Sequence, residues 1–449
     1  MKKLLLSAFI IFTVFVAGIS PHIAANSPEK KTDLEDSPAE EEFADYKDAI
    51  ENDPNNANIY YNWAVALQQL GRYEEAIEKY KKTTQIDPDY SDAYYNWGFA
   101  LLSLGSYEGA AEKFEKVIQL NPKEIDAYLG WGNALDEMGQ YKEAIQKYKK
   151  AIEINPEYAD AYYDWGVSLQ NMEHNEEAIE KYKKTIQIDP EYADAYYNWG
   201  IALSELNQFE ESIQKYEKVI QIDPGYVDAY YNWGVVLFTL ELYQEAIEKY
   251  KKATQLDPGY VDAYYNWGVV LFTLELYQAA IKRYEKVTQL DPDYVDAYSN
   301  WGVCLHNLDR YKEAIEKYKK VIQLTPLDAD AYYNWGLALG ELGQDNEAIK
   351  KYKKTTQLNP GYVDAYYNWG IILYDKGYYK DSIEKNEKVI ELNPEYAYAY
   401  YNLGLAQAEL KEYKKAISSF QRYIELETNQ EEIEEAKDRI RLLKQKLAE

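Results

Sequence analysis

Apolar and aromatic residues in this chain recur every 34 residues, with polar stretches between them. Tryptophan stands at Trp63, Trp97, Trp131, Trp165, Trp199, Trp233, Trp267, Trp301, Trp335 and Trp369, and Leu403 takes the eleventh place. With each period numbered 1 to 34 from Ala57, Tyr fills position 4 in all eleven and Gly position 8 in ten. Leu fills position 11 in ten, Ala or Ser position 20 in all, Tyr or Phe position 24 in ten, and Pro position 32 in ten. Positions 4, 7, 8 and 11 share one face of a helix, and positions 17, 20, 21, 24, 27 and 28 one face of a second. Each period therefore predicts a helix pair. Small residues at 8 and 20 allow close approach, and Tyr, Trp and Leu fill the space around them. Proline at 32, after Asp or Asn in most periods, stops the second helix. A unit of this size cannot bury its apolar face alone, so successive units are expected to stack into a solenoid.

These residues resemble the tetratricopeptide repeat in several respects: its length, the aromatic at position 4, the apolar residue and Gly at 7 and 8, Tyr at 17, Ala at 20, the aromatic at 24 and Pro at 32. The resemblance spans eleven units over residues 57–430. It implies an all-α fold, a right-handed α-solenoid (superhelix) of helix-turn-helix units whose inner wall is lined by the first helix of each. Asn175 and Asp345 replace the aromatic at position 17, and Asn386 replaces the one at 24. Looser packing is expected in the fourth, ninth and tenth units.

With the packing face of the first helix assigned, positions 2, 5, 6, 9 and 13 fall on the other side and form the expected binding surface. Position 6 is Asn62, Asn96, Asn198, Asn232, Asn266, Asn300, Asn334, Asn368 and Asn402. Position 5 is mostly Tyr, including Tyr61, Tyr95, Tyr197, Tyr231 and Tyr265, and position 2 mostly Asp, including Asp194, Asp228 and Asp262. An Asn amide donates and accepts at once, so it can pair with a peptide group whatever side chain is attached. Helix pairs stack about 10 Å apart, close to three residues of extended chain at about 3.3 Å each, so a ladder of amides suits an extended polypeptide. Such a ladder is similar to the one inside the repeat superhelix of the O-GlcNAc transferase family, where it holds substrate polypeptides. Other readings stand beside it. Asn suits its turn of helix and recurs through recent duplication, visible in identical runs at 227–244 and 261–278. Asp caps the helix it opens. Tyr beside Asp and Asn forms a wall for sugar rings, and proteins of the resembled family occur in exopolysaccharide export systems.

Composition narrows the partners. A net charge of −28 argues against nucleic acid. Together with Asp on the expected wall, it favours a basic or neutral polypeptide. Lys or Arg at position 26 in every unit, and at 23 in ten, reads as a solvated outer face, because Glu or Asp precedes Lys by four residues in most units, as in Glu75 with Lys79 and Glu78 with Lys82. The single cysteine, Cys304, holds a position otherwise filled by Ala, Val, Ser or Ile and is expected in the core. Three scattered histidines and no nucleotide-binding glycine loop give no expectation of a metal, a cofactor or an enzyme.

At the N-terminus, Lys2 and Lys3 precede the apolar run LLLSAFIIFTVFVAGIS, and cleavage is expected after Ala25. Residues 1–25 thus read as a signal peptide, which makes the chain exported, periplasmic or extracellular; an uncleaved anchor is the alternative. No other stretch is apolar enough to span a membrane. Residues 26–38 are polar and acidic and are expected to be disordered. Residues 39–56 match the second half of a repeat, and 431–449 carry an apolar stripe that covers the last unit; both are expected to be capping helices. Alternatively, the two ends complete a repeat across chains and build a filament by self-association, with Glu42, Tyr46, Ile433, Lys437, Ile440 and Leu443 at the junction. The expected function is a non-enzymatic scaffold binding extended polypeptides for assembly of a cell-envelope complex. A filament and a polysaccharide-binding or export accessory are its alternatives.

Overall fold

The computed structural model describes residues 39–448. The expected signal peptide and leader lie outside the described residues, as do the side chains of residues 39–42, including Glu42. Every regular element among the described residues is an α-helix. After Ala39–Asn52, first helices of 13 residues alternate with second helices of 14, as in Ala193–Glu205 and Phe209–Ile222, and Gln430–Ala448 comes last.

Two turns per repeat set this alternation. Between the two helices, position 15 must take the left-handed backbone region. Gly71, Gly105, Gly139, Gly343 and Gly377 do so without steric cost, whereas Glu173, Asn207, Glu241, Glu275, Asp309 and Lys411 do so with φ between 57° and 61°. Before the next repeat, the Asp or Asn preceding Pro folds its own side chain onto the backbone. Asp189 Oδ1 accepts from the Glu191 N–H at 3.0 Å, and Asp291 Oδ1 from the Asp293 N–H at 3.0 Å.

The chain divides into two compact units between Leu242 and Tyr243. In the N-terminal unit, one cluster of the core joins Ala178, Tyr182, Ala195, Trp199, Ala202 and Leu203. In the C-terminal unit, Tyr284, Tyr318 and Tyr352 are buried at position 24. Their rings need the facing glycine: a Cβ on Gly336 would stand 2.6 Å from Tyr352 Cε1. Cys304 is buried, and burial pushes its thiol pKa up. Asn386 is buried where a ring is expected; its nitrogen donates to the Ser382 carbonyl at 2.9 Å and its oxygen has no partner. The helices Asn175–Ile188 and Asp345–Leu358 keep their full 14 residues despite losing the aromatic at position 17.

The first and last described helices pack on the repeats beside them. Phe43 is buried, and Phe43 and Tyr46 stack on Trp63 with ring centroids 6.0 and 6.1 Å away. The last helix buries Ile433, Ala436, Ile440 and Leu443, the last two in a cluster with Ala416 and Phe420. Its outward side is charged, with Lys437 paired to Glu434 at 2.7 Å and Arg441 to Asp438 at 2.8 Å.

Candidate interaction surface on the first helices

Stacking brings the expected surface residues of one repeat against those of the next. Asn96 Nδ2 donates to the Tyr61 hydroxyl at 2.9 Å, Asn198 to Tyr163 at 2.9 Å and Asn232 to Tyr197 at 2.7 Å. In the C-terminal unit, Asn300 donates to Tyr265 at 3.1 Å and Asn368 to Tyr333 at 3.0 Å. A second tyrosine, at position 34, donates its own hydroxyl to the Asp at position 2. Tyr192 reaches Asp160 at 2.9 Å, Tyr226 reaches Asp194 at 2.7 Å, Tyr294 reaches Asp262 at 3.4 Å and Tyr362 reaches Asp330 at 2.7 Å. The two rings pack against each other, with centroids 5.0 Å apart in Tyr197/Tyr226 and in Tyr265/Tyr294. A complete joint is therefore a staple of one Asp, two Tyr and one Asn.

This corrects the expectation that Asp, the second Tyr and Asn are left facing a groove. Asn198, Asn266 and Asn368 are buried, as are Tyr197, Tyr231 and Tyr265. Asn96, Asn232, Asn300, Asn334, Asn402, Tyr61 and Tyr95 are half-buried, and Asn62, in the first repeat, is exposed. The Asn402 nitrogen is buried without a partner. Asp194 is exposed at the edge, and Asp228 and Asp262 are half-buried. Nor does Asp194 cap its helix, whose N-cap is Tyr192 without a side-chain bond. Burial holds the Tyr197 and Tyr333 phenols well above their ordinary pKa, so both stay protonated. The partner of each Asn is 35 residues away, so only the stacking of repeats reveals it.

The basic stripes are likewise occupied. At position 23, Lys181 lies over Trp165 at 3.9 Å, Lys215 over Trp199 at 4.0 Å, Arg283 over Trp267 at 3.7 Å and Lys351 over Trp335 at 3.3 Å. At position 26, Lys320 lies over Tyr298 at 5.7 Å. Lys79 covers Trp63 at 4.0 Å, and Glu75 pairs with Arg72 at 2.6 Å rather than with Lys79. The sequence signal was present: wherever position 23 carries a cation, position 7 carries Trp.

The staple is interrupted in two places. Around the third and fourth repeats, Leu129 stands at position 5, Gly130 at position 6 and Asp164 at the next position 6. With its amide turned to satisfy its surroundings, Asn133 donates to Asp164 Oδ2 at 3.1 Å and to the Leu129 carbonyl at 3.1 Å. Ser168 Oγ donates to Asp136 Oδ1 at 2.6 Å. Burial pushes the Asp136 carboxyl up to about 7 and the Asp164 carboxyl up to about 8. The second interruption lies in the C-terminal unit. Ser299 and Asp328 replace both tyrosines of the eighth repeat, and Asn334 follows them.

Family profiles described as "TPR repeat" match residues 66–105, 132–173, 172–207, 202–241, 240–275, 276–309, 305–343, 339–377 and 370–411. Others, described as "Tetratricopeptide repeat", match 45–78, 91–124 and 397–430. No curated protein matches the chain in sequence. Similar solved structures include YrrB, titled a TPR protein with an unusual peptide-binding site, at 28% identity over 41% of this chain and 95% of that one, with a TM-score of 0.35. MamA from Desulfovibrio magneticus RS-1 is 26% identical over 38% of this chain and 96% of its own, with a TM-score of 0.36. Yeast Tom70 is 15% identical over 87% and 96%, with a TM-score of 0.37.

Proposed function

The chain belongs to the tetratricopeptide repeat family, and from that premise we propose a non-enzymatic scaffold that holds extended polypeptides on its first-helix surface. Protein–protein interaction is the function that family membership carries. The observation behind the finer reading is the pair of interruptions: polar groups that complete joints consume between repeats are freed or rearranged there. Neutral and basic segments fit best, because the chain carries a net charge of −28. The covered apolar stripes at both ends support a capped particle over end-to-end assembly. The basic and apolar N-terminal run supports export and a role in assembling a cell-envelope complex.

An array of extended dodecapeptides graded in charge tests the scaffold directly. Saturable binding of neutral and basic peptides, weakened for acidic ones, is expected. No saturable binding by any peptide overturns it. Cell fractionation of the tagged full chain tests export, and recovery only from the cytosol rejects it.

A further inference from the structure

We propose that the joint between the eighth and ninth repeats is a docking notch for a tyrosine side chain presented by a partner polypeptide. The proposal rests on the scaffold reading and adds to it a place and a side-chain class. At the other joints between repeats, at least one of positions 5 and 34 is Tyr; here both are lost, to Ser299 and Asp328. The rings that stack 4.9 Å apart in Tyr333/Tyr362 one repeat later are both missing.

What the missing rings would have bonded remains in place. Asp296, at position 2, has no tyrosine hydroxyl to accept from, while Asp262 and Asp330 in the flanking repeats each have one. Asn334, at position 6, has no tyrosine hydroxyl to donate to, while Asn300 and Asn368 each have one. Both residues are half-buried. Burial, with the Asp328 carboxylate, raises the Asp296 pKa, so a donated hydrogen bond there is stabilising. Asp328 itself is engaged: its Oδ1 accepts from the Ala331 N–H at 2.9 Å and caps the helix Ala329–Glu341.

Alanine at position 3 is 0% exposed in nine repeats and 3% exposed at Ala331, so the turn over it is slightly less sealed where the rings are missing. The same turn departs twice more, with Thr325 before the proline and Leu327 after it, the latter 77% exposed.

The chemistry of the notch selects a phenol. A phenolic hydroxyl donates and accepts, so it can serve Asp296 or Asn334, and its ring replaces the lost aromatic surface. Phenylalanine fills the space but leaves both polar groups unsatisfied, and arginine offers nothing for the Asn334 amide to donate to. The chain itself supplies the template, placing its own tyrosines in this position at the neighbouring joints.

Fluorescein-labelled Gly/Ser decapeptides with one central Tyr, Phe or Arg, titrated into the full chain and read by anisotropy, test the proposal. The Tyr peptide is expected to saturate at one per chain, and the Phe peptide to bind at least tenfold more weakly. The variant Ser299→Tyr with Asp328→Tyr restores the ring pair while giving up the Asp328 cap, so it should stay folded with the parent's helix content and lose Tyr-peptide binding. Asn334→Ala, which disturbs no existing hydrogen bond, should bring Tyr binding towards Phe binding. Equal affinity for Tyr and Phe, undiminished binding by the filled variant, or preference for the Arg peptide or a chitotetraose competitor overturns the notch. Array peptides that bind parent and filled variant equally would remove the notch and leave the scaffold standing; no binding by any peptide removes both.

Discussion

Replacing Asn368 by Ala should loosen the joint between the ninth and tenth repeats rather than trim a surface. Asn368 and Tyr333 are each 1% exposed and share one hydrogen bond of 3.0 Å. A neutral hydrogen bond contributes about 1 kcal/mol net, and a buried hydroxyl left without its partner costs about 1–3 kcal/mol. Asn368→Ala also removes an oxygen buried without a partner, which offsets part of this loss, so it should destabilise the joint by about 1–3 kcal/mol, while Tyr333→Phe together with Asn368→Ala should cost less than the sum of the two single changes. Unfolding of a long repeat array is not two-state, so the local readout is native-state hydrogen exchange in the helices Ala329–Glu341 and Val363–Asp375. At 1.4 kcal/mol per factor of ten, exchange there should accelerate about 5- to 150-fold. Asn334→Ala is the internal control, since no tyrosine faces it, and exchange should change by less than about threefold, the equivalent of about 0.5 kcal/mol. Equal acceleration by the two substitutions would refute the staple as the reason Asn recurs at position 6.

The same reasoning gives three further outcomes. Asp136 and Asp164 have pKa values raised to about 7 and about 8 in the folded chain, so the fold binds more protons than the unfolded chain between about pH 4 and pH 8. Stability should accordingly fall as pH rises through that window, and Asp164→Asn should flatten the fall; a melting temperature in the parent that rises from pH 5 to pH 8 would contradict this. Lys351→Gln removes the nearer of the two cations over Trp335, Lys319 standing at 5.7 Å, and should cost about 0.5–2 kcal/mol, whereas Lys351→Arg should restore most of it, as Arg283 does over Trp267; urea unfolding followed by tryptophan fluorescence separates the two. Asn386→Tyr restores the ring opposite Gly370 and removes an unpaired buried carbonyl oxygen, so the melting temperature should rise; a drop would show that the tenth repeat has closed around Asn386.

The fold was legible because its causes lie within one period. Trp at 7, Gly at 8, Ala at 20 and Tyr at 24 mark the faces of two adjacent helices, and that spacing is written locally. The surface was much less legible. Tyr197 and Asn198 look unpartnered in their own repeat, yet Tyr197 takes its hydrogen bond from Asn232 and Asn198 donates to Tyr163. Such pairs depend on how one repeat is set against the next, which no amphipathic pattern encodes. Lys215 was misjudged for a related reason: charge suggested water, but the neighbouring Trp199 face offers a better place for its ammonium. The interruption at Ser299, Asp328 and Asn334 could be recognised only after the complete staple was known.

Every staple joins residues 32 or 35 apart, so none reaches past the adjacent repeat. Among the described residues the register is therefore carried by a series of similar clasps, altered in two places, each between one repeat and the next. Folding can begin at any well-clasped pair and spread outward, with little loop-closure entropy opposing each step. Excision of one whole period leaves the remaining clasps able to close on new neighbours, provided that the flanking repeats are complete. Length can then drift by units of 34 while the fold is kept, and the duplicated run at 227–244 and 261–278 is what such drift leaves behind.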